Sequence, residues 1–288
     1  MTTINTQNTQ NTQNTQNTQN TQNTTNRPTK QITKFAIYGE RCSGTNYLEE
    51  VMKNNFHLNY TNEHGNKHFF CFNNYDNKYT NDTLFIGIVR DPVYWLNSFS
   101  KELYHVPEIN RKPLNHFLFN EFYSVFDEKP PISNHSFVKD GNFLLPNNKL
   151  HTRYHEINPK DLNYITGKKY NNIFELRKLK NYYLINVMPK KVANYILINY
   201  ENLLYNFDKT LQDIQSKFNL ISKHNDYVNI KKYKKSESYN FIKQRLITFN
   251  PNLVDIIWNN LDTKQENYLG YYKNDNNNNF TNNYFLLK

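Results

Sequence analysis

Along this chain, continuous apolar runs alternate with segments whose apolar residues recur every three or four positions. Lys34–Tyr38 (KFAIY), Thr83–Val89 (TLFIGIV) and Val192–Asn199 (VANYILIN) are of the first kind. Runs apolar at successive positions predict strands buried on both faces of a parallel sheet. The second kind predicts helices. Thr45–Asn54 carries Tyr47, Leu48, Val51 and Met52 on one face. Similar spacing predicts helices over Val93–Glu102, Asn115–Phe126, Ile173–Asn186 and Phe207–Phe218, and within Leu246–Leu261. The aromatic run Lys67–Phe72 predicts a short second strand. Strands alternating with helices imply an α/β fold, a single domain with a central parallel sheet flanked by helices. Asp127–Asn172, rich in Pro, Asn and Gly, predicts an irregular stretch or lid beside a substrate site.

The pattern fails at both ends. Residues 4–24 are nearly pure Asn-Thr-Gln triplets and cannot bury enough surface to offset the entropy of ordering. This predicts a disordered tail over residues 1–30, a domain over 31–273 and an Asn-rich tail over 274–288. No apolar run reaches the roughly 20 residues a membrane-spanning helix needs. The polar N-terminus predicts no secretory signal. Cys42 and Cys71 are the only cysteines among 288 residues, which fits a reducing, cytoplasmic setting better than a disulfide framework.

Lys and Arg number 35 against 25 Asp and Glu, a net charge of +10. Two readings stand: an anionic ligand, or a Lys- and Asn-rich coding bias that spreads lysine over every solvated face. The densest basic cluster, Lys231–Lys235 (KKYKK), is too short for a nucleic-acid motif. Lys234 and Lys235 are candidates for a late phosphate contact or for a solvated face.

The chemistry concentrates where the first strand ends. Gly39-Glu40-Arg41-Cys42-Ser43-Gly44-Thr45-Asn46 joins that strand to the first helix. Glycine-bounded strand–loop–helix joints present backbone N–H groups and a helix N-terminus to phosphate-like anions. The spacing of Gly39 and Gly44 is that of a nucleoside-triphosphate loop, but Thr45 occupies the lysine position. Arg90 stands at the carboxyl end of the Thr83–Val89 strand, where α/β sheets bind ligands. Asp91 and Pro92 suit a helix start, and Ser98 follows Arg90 by eight residues. Alone, Arg90, Asp91 and Ser98 read more readily as a surface ion pair and a solvated helix serine.

Together, these two elements resemble the sulfotransferases, which use 3′-phosphoadenosine 5′-phosphosulfate (PAPS) as sulfuryl donor. GERCSGTNYLE is similar to the loop of a bacterial and viral branch of that superfamily, Gly-Glu-Arg-x-Ser-Gly-Thr-Asn. Lys67-His68, the Phe174–Arg177 segment (FELR), Val192-Ala193-Asn194 with Asn199–Leu203 (NYENL), and Leu261-Asp262 with Glu266 and Leu269–Tyr271 (LGY) extend the similarity over residues 32–272. The resemblance implies a P-loop nucleotide-hydrolase-like architecture and PAPS as co-substrate, with no metal. Arg41, Cys42, Ser43, Gly44, Thr45 and Asn46 would hold the 5′-phosphosulfate, and Arg90 and Ser98 the 3′-phosphate. The residue before Ser-Gly-Thr is commonly basic in the family. Here it is Cys42, with Arg41 one place earlier, so two readings of Arg41 stand: it reaches the leaving group by a different path, or it only flanks the loop.

His68 is the expected general base and Lys67 the cation on the bridging oxygen. A histidine packed among Phe69, Phe70 and Phe72 is the competing reading of His68, and Glu40, Glu63 and His64 are alternative bases. Cys42 reads as structural more than as a nucleophile, Trp95 as core or a nucleotide wall, Glu175 and Arg177 as a structural ion pair, and Tyr200-Glu201 as a tether at a strand end. The acceptor, a hydroxyl or amine on a carbohydrate, small molecule or protein, is not specified by these residues. Two other functions fit parts of the pattern: a P-loop kinase or nucleotide hydrolase, and a non-catalytic module binding nucleotides or polyanions.

Overall fold

Three apolar runs and one short segment form a parallel sheet. Its strands are β1 (Lys34–Tyr38), β2 (Asn59–Tyr60), β3 (Thr83–Val89) and β7 (Asn194–Asn199), in the order β2-β1-β3-β7. The computed structural model describes residues 31–73, 75, 80–126, 137–138, 142–144, 150–151, 156–230 and 250–273. Both expected tails lie outside these, as do Lys231–Lys235 and residues 246–249 of the last expected helix.

Every residue of β3 is buried, as a continuous apolar run requires. Alternate side chains enter two separate cores. Phe35 and Ile37 of β1 join Leu84, Ile86 and Ile88 of β3 under α1 (Thr45–Asn55), α6 (Tyr200–Tyr205) and α7 (Phe207–Phe218). Ala36 and Tyr38 join Phe85 and Val89 on the opposite face. That face is covered by α2 (Pro92–Phe99), α3 (Leu114–Phe119), α4 (Ile173–Tyr182), α5 (Met188–Lys191), α8 (Pro251–Asn260) and α9 (Thr263–Tyr268). The result is one compact α/β domain. A small antiparallel sheet, β4 (Phe137–Val138), β5 (Asn142–Leu144) and β6 (Leu150–His151), lies within the stretch expected to be irregular.

Three expected elements differ. Lys67–Phe72 is not the second strand; it ends in a 3₁₀ turn, Phe70–Phe72. Phe70 and Cys71 are neighbours buried in the same core, whereas a strand would send them to opposite faces. The helix expected over Asn115–Phe126 stops at Phe119. Beyond it Phe122 exchanges backbone hydrogen bonds with Tyr170 at 2.8 and 2.9 Å, and Val125 bridges Ile157. In the segment expected to be helical through Asn186, α4 gives way to a π-helical turn at Tyr183–Val187.

Because β1 has β2 on one side and β3 on the other, the chain reverses its direction of travel across the sheet at the β1/β3 boundary. The carboxyl ends of those two strands therefore flank a crevice of the kind that holds ligands in open α/β sheets.

Candidate phosphate site at the ends of β1 and β3

The loop after β1 folds back on itself. Ser43 donates both its backbone N–H (3.1 Å) and its hydroxyl (2.6 Å) to the Glu40 carbonyl. Cys42 (φ 63°) and Gly44 (φ 96°) are in the left-handed region, and α1 starts directly after Gly44. A Cβ on Gly44 would lie 2.2 Å from the Tyr200 ring, and one on Gly39 would lie 2.6 Å from the Ile88 carbonyl. Both glycines are therefore sterically required. Gly44, the cap residue, has no side chain with which to satisfy the first turn of α1, and a helix N-terminus of this kind suits an anion. Ser43 and Thr45 are buried, while Cys42, Gly44 and Asn46 keep partial exposure and form the rim.

Arg90 and Ser98 are brought together. Nη1 of Arg90 donates at 2.9 Å to the Ser98 hydroxyl and at 2.9 Å to the Cys42 carbonyl, and the guanidinium lies 4.8 Å from the centre of the Tyr200 ring. One side chain thus joins the β1 loop, the end of β3 and α2. Both residues keep partial exposure. Behind them Arg177 donates to the Arg90 carbonyl (2.9 Å) and makes a two-pronged pair with Glu266, at 2.6 and 2.7 Å. Glu266, not Glu175, is therefore the ion-pair partner of Arg177. Glu175 instead accepts from Asn163 and the Asn171 N–H.

Lys67 comes to the same rim. Its ammonium donates to Asn46 (2.5 Å) and lies 3.5 Å from Glu49, both on α1, which sets a cation beside the open helix end. His68 follows it. Its Nδ1 sits 2.8 Å from the Gly39 carbonyl, an acceptor, so Nδ1 carries the proton and Nε2 keeps its lone pair. Protein packed around the imidazole drives its pKa down to about 3. The ring is therefore neutral at physiological pH, in the tautomer a base requires.

Arg41 is placed otherwise than expected. It is 4% exposed, and its guanidinium points inward. Its three nitrogens donate to Glu40 (3.0 Å), the Tyr104 carbonyl (3.0 Å) and Asp161 (3.3 Å), and it stacks 4.6 Å over the Phe99 ring. A guanidinium so engaged does not reach the rim. Lys180, 2% exposed on its side chain, completes the cluster at 2.5 Å from both Glu40 and Asp161. Ser124 also donates to Asp161. Burial raises the Glu40 pKa, but the Lys180 and Arg41 charges outweigh it and hold the carboxyl at about 2.

That pairing removes Glu40 as a base. Glu63 binds Lys34 (3.0 Å) at the amino end of β1, roughly 13 Å of strand from the loop. The His64 ring packs 5.0 Å from that of Phe85, early in β3. Burial pushes the Cys42 thiol up to about 12, which opposes a thiolate role. Trp95 is core, its indole N–H donating to the Arg41 carbonyl at 2.8 Å. Glu201 tethers the end of β7 by accepting from the Asp91 N–H (3.1 Å) and the Tyr271 hydroxyl (2.9 Å).

Sequence reasoning took Tyr200 only as part of a strand-end tether; its ring lies beneath Arg90 and against Gly44. The signal was present: it stands at the carboxyl end of β7 as Arg90 stands at that of β3. Sequence reasoning missed Lys180 and Asp161, far from the loop in sequence. No protein-family model, curated protein or solved structure matches the chain.

Proposed function

We propose that this chain is a PAPS-dependent sulfotransferase, moving a sulfuryl group to an acceptor hydroxyl or amine. The observation that supports it most is the Arg90 guanidinium joining the Ser98 hydroxyl to the Cys42 carbonyl at 2.9 Å each, beside an uncapped helix end. Two anion-binding features side by side suit a nucleotide with phosphates at two positions. The 3′-phosphate takes Arg90 and Ser98 as charge-assisted donors. The 5′-phosphosulfate lies at the first turn of α1, with Lys67 against its bridging oxygen.

In this reading the acceptor oxygen attacks sulfur in line, the bond from sulfur to the bridging phosphate oxygen breaks, and the acceptor proton passes to Nε2 of His68. The charge left on 3′-phosphoadenosine 5′-phosphate is met by α1 amides and Lys67. Arg41 takes no part in charge stabilisation; it holds the loop. Thr45 in place of the triphosphate-loop lysine agrees with a donor lacking a γ-phosphate.

Calorimetry with 3′-phosphoadenosine 5′-phosphate tests the reading, with 5′-AMP and Mg²⁺-ATP as comparators. Binding that depends on the 3′-phosphate and weakens in Arg90→Ala is expected. Equal affinity for 5′-AMP, or Mg²⁺-dependent ATP turnover, would overturn it in favour of a nucleotide module or a kinase-class enzyme. A labelled-donor screen over carbohydrates, phenols and proteins then identifies the acceptor class.

A further inference from the structure

The cluster behind the loop consists of two carboxylates and two cations, Glu40, Asp161, Arg41 and Lys180, all at most 9% exposed. Buried ion networks contribute little net stability for the cost of desolvating them. What distinguishes this one is its connections. Lys180 reaches Glu40 and Asp161 at 2.5 Å each, and donates at 2.8 Å to the backbone carbonyl of His68. Glu40 follows Gly39, which is tied to the Lys67-His68 segment twice, Gly39 N–H to the Lys67 carbonyl (3.1 Å) and His68 Nδ1 to the Gly39 carbonyl (2.8 Å). Three segments distant in sequence therefore converge on the ammonium that α4 supplies: the anion loop, the Lys67-His68 segment and the turn at Asp161.

We propose that Lys180 is a positioning residue that locks the anion loop and His68 into one unit, through the His68 carbonyl and the Glu40 carboxylate. An ammonium suits this place because it donates in three directions, and here it has three acceptors. Held so, the Gly39 carbonyl stays in line with Nδ1, and Nε2 keeps its lone pair. Calling His68 a base rests on the sulfuryl-transfer reading; the positioning does not.

The test is the tautomer of His68 in the full chain without ligand, read by long-range ¹H–¹⁵N correlation of the imidazoles and assigned with a His68→Gln control. The wild type is expected in a single Nδ1–H form. K180R, which keeps a cation and several donors, retains it. K180M loses it to a mixture, and so does the charge-balanced E40Q/K180M, which stands in should the single variant fail to fold. A folded K180M or E40Q/K180M with the wild-type His68 signature overturns the proposal. In the reaction, displacing the base should lower kcat by about 10²-fold, with a smaller change in nucleotide Kd. Failure of the sulfotransferase reading gives a different result: wild-type protein that does not bind 3′-phosphoadenosine 5′-phosphate, with the imidazole comparison unaffected.

Discussion

Two helices start at the carboxyl ends of adjacent strands, and their first turns are built in opposite ways. At α2 the Asp91 carboxylate accepts from the N–H groups of Val93 (2.9 Å) and Tyr94 (3.0 Å), and Pro92 removes one further donor. The chain supplies its own anion there. At α1 the cap is Gly44, which has no side chain to offer the first turn. The acids behind them differ as well. Glu40, behind α1, is held at about 2 by Lys180 and Arg41 against its burial. Glu201, against the start of α2, is raised to about 7 by burial and by the Asp91 charge. One end is closed and acid-rich; the other is open and backed by a fixed, neutralised carboxylate. Equivalent places in a fold can thus serve stability or binding according to one capping residue.

The largest effect is expected from removing His68, the proposed base. His68→Ala should lower turnover by roughly 10²–10⁴-fold with a far smaller change in nucleotide affinity, as separate kcat and Kd measurements will report. Next is the clamp shared between the two ends. Arg90→Ala should weaken 3′-phosphoadenosine 5′-phosphate by about 1.5–3 kcal/mol and Ser98→Ala by about 0.5–1.5 kcal/mol, measured by calorimetry.

Making the two ends alike sharpens the contrast. Asp91→Ala opens α2 and should cost about 0.5–2 kcal/mol of stability in urea denaturation. Asn46→Asp places a carboxylate in the first turn of α1. It should raise stability by about 0.3–1 kcal/mol while weakening the nucleotide, opposite signs that a purely structural α1 terminus would not give.

A further contrast lies in pH. Burial and the Asp91 charge raise Glu201 to about 7, against an ordinary value of 4.5. The folded state therefore binds more protons between those values, and this group's contribution falls as pH rises from about 4.5 to about 7. Glu40 acts oppositely: its contribution is complete above 4.5 and lost as pH falls toward about 2. Glu201→Gln should flatten the upper part of the stability–pH curve and leave the acid limb unchanged.

Much of this contrast was legible in the sequence. The ends of β1, β3 and α7 follow from apolar runs and spacing, because successive burial in the strands and one buried face in the helix each leave a signal inside the segment itself. Asp91-Pro92 reads as a helix start for equally local reasons, and the eight-residue step from Arg90 to Ser98 places both at one crevice. Long-range pairing is not legible. β2 is two residues long and lacks a buried face, so it carries no pattern. Arg41 is charged and lies beside a binding loop, which argues for exposure, yet partners at Tyr104 and Asp161 draw it inward. The Arg177–Glu266 pair spans 89 positions, and nothing near either residue identifies the other.

That last pair orders the events of synthesis. The residues that fasten the strand ends come from the far end of the chain. Glu266 binds Arg177, the Leu269 carbonyl accepts from Asn199 (2.7 Å), and Tyr271 binds Glu201. The loop and Arg90 leave the ribosome long before any of these. A nascent chain can assemble β1, β3 and β7 with the glycine loop between them, but the clasp behind Arg90 closes only when α9 emerges. Premature termination before residue 266 would therefore release a product with its strands in place and its arginine unsupported.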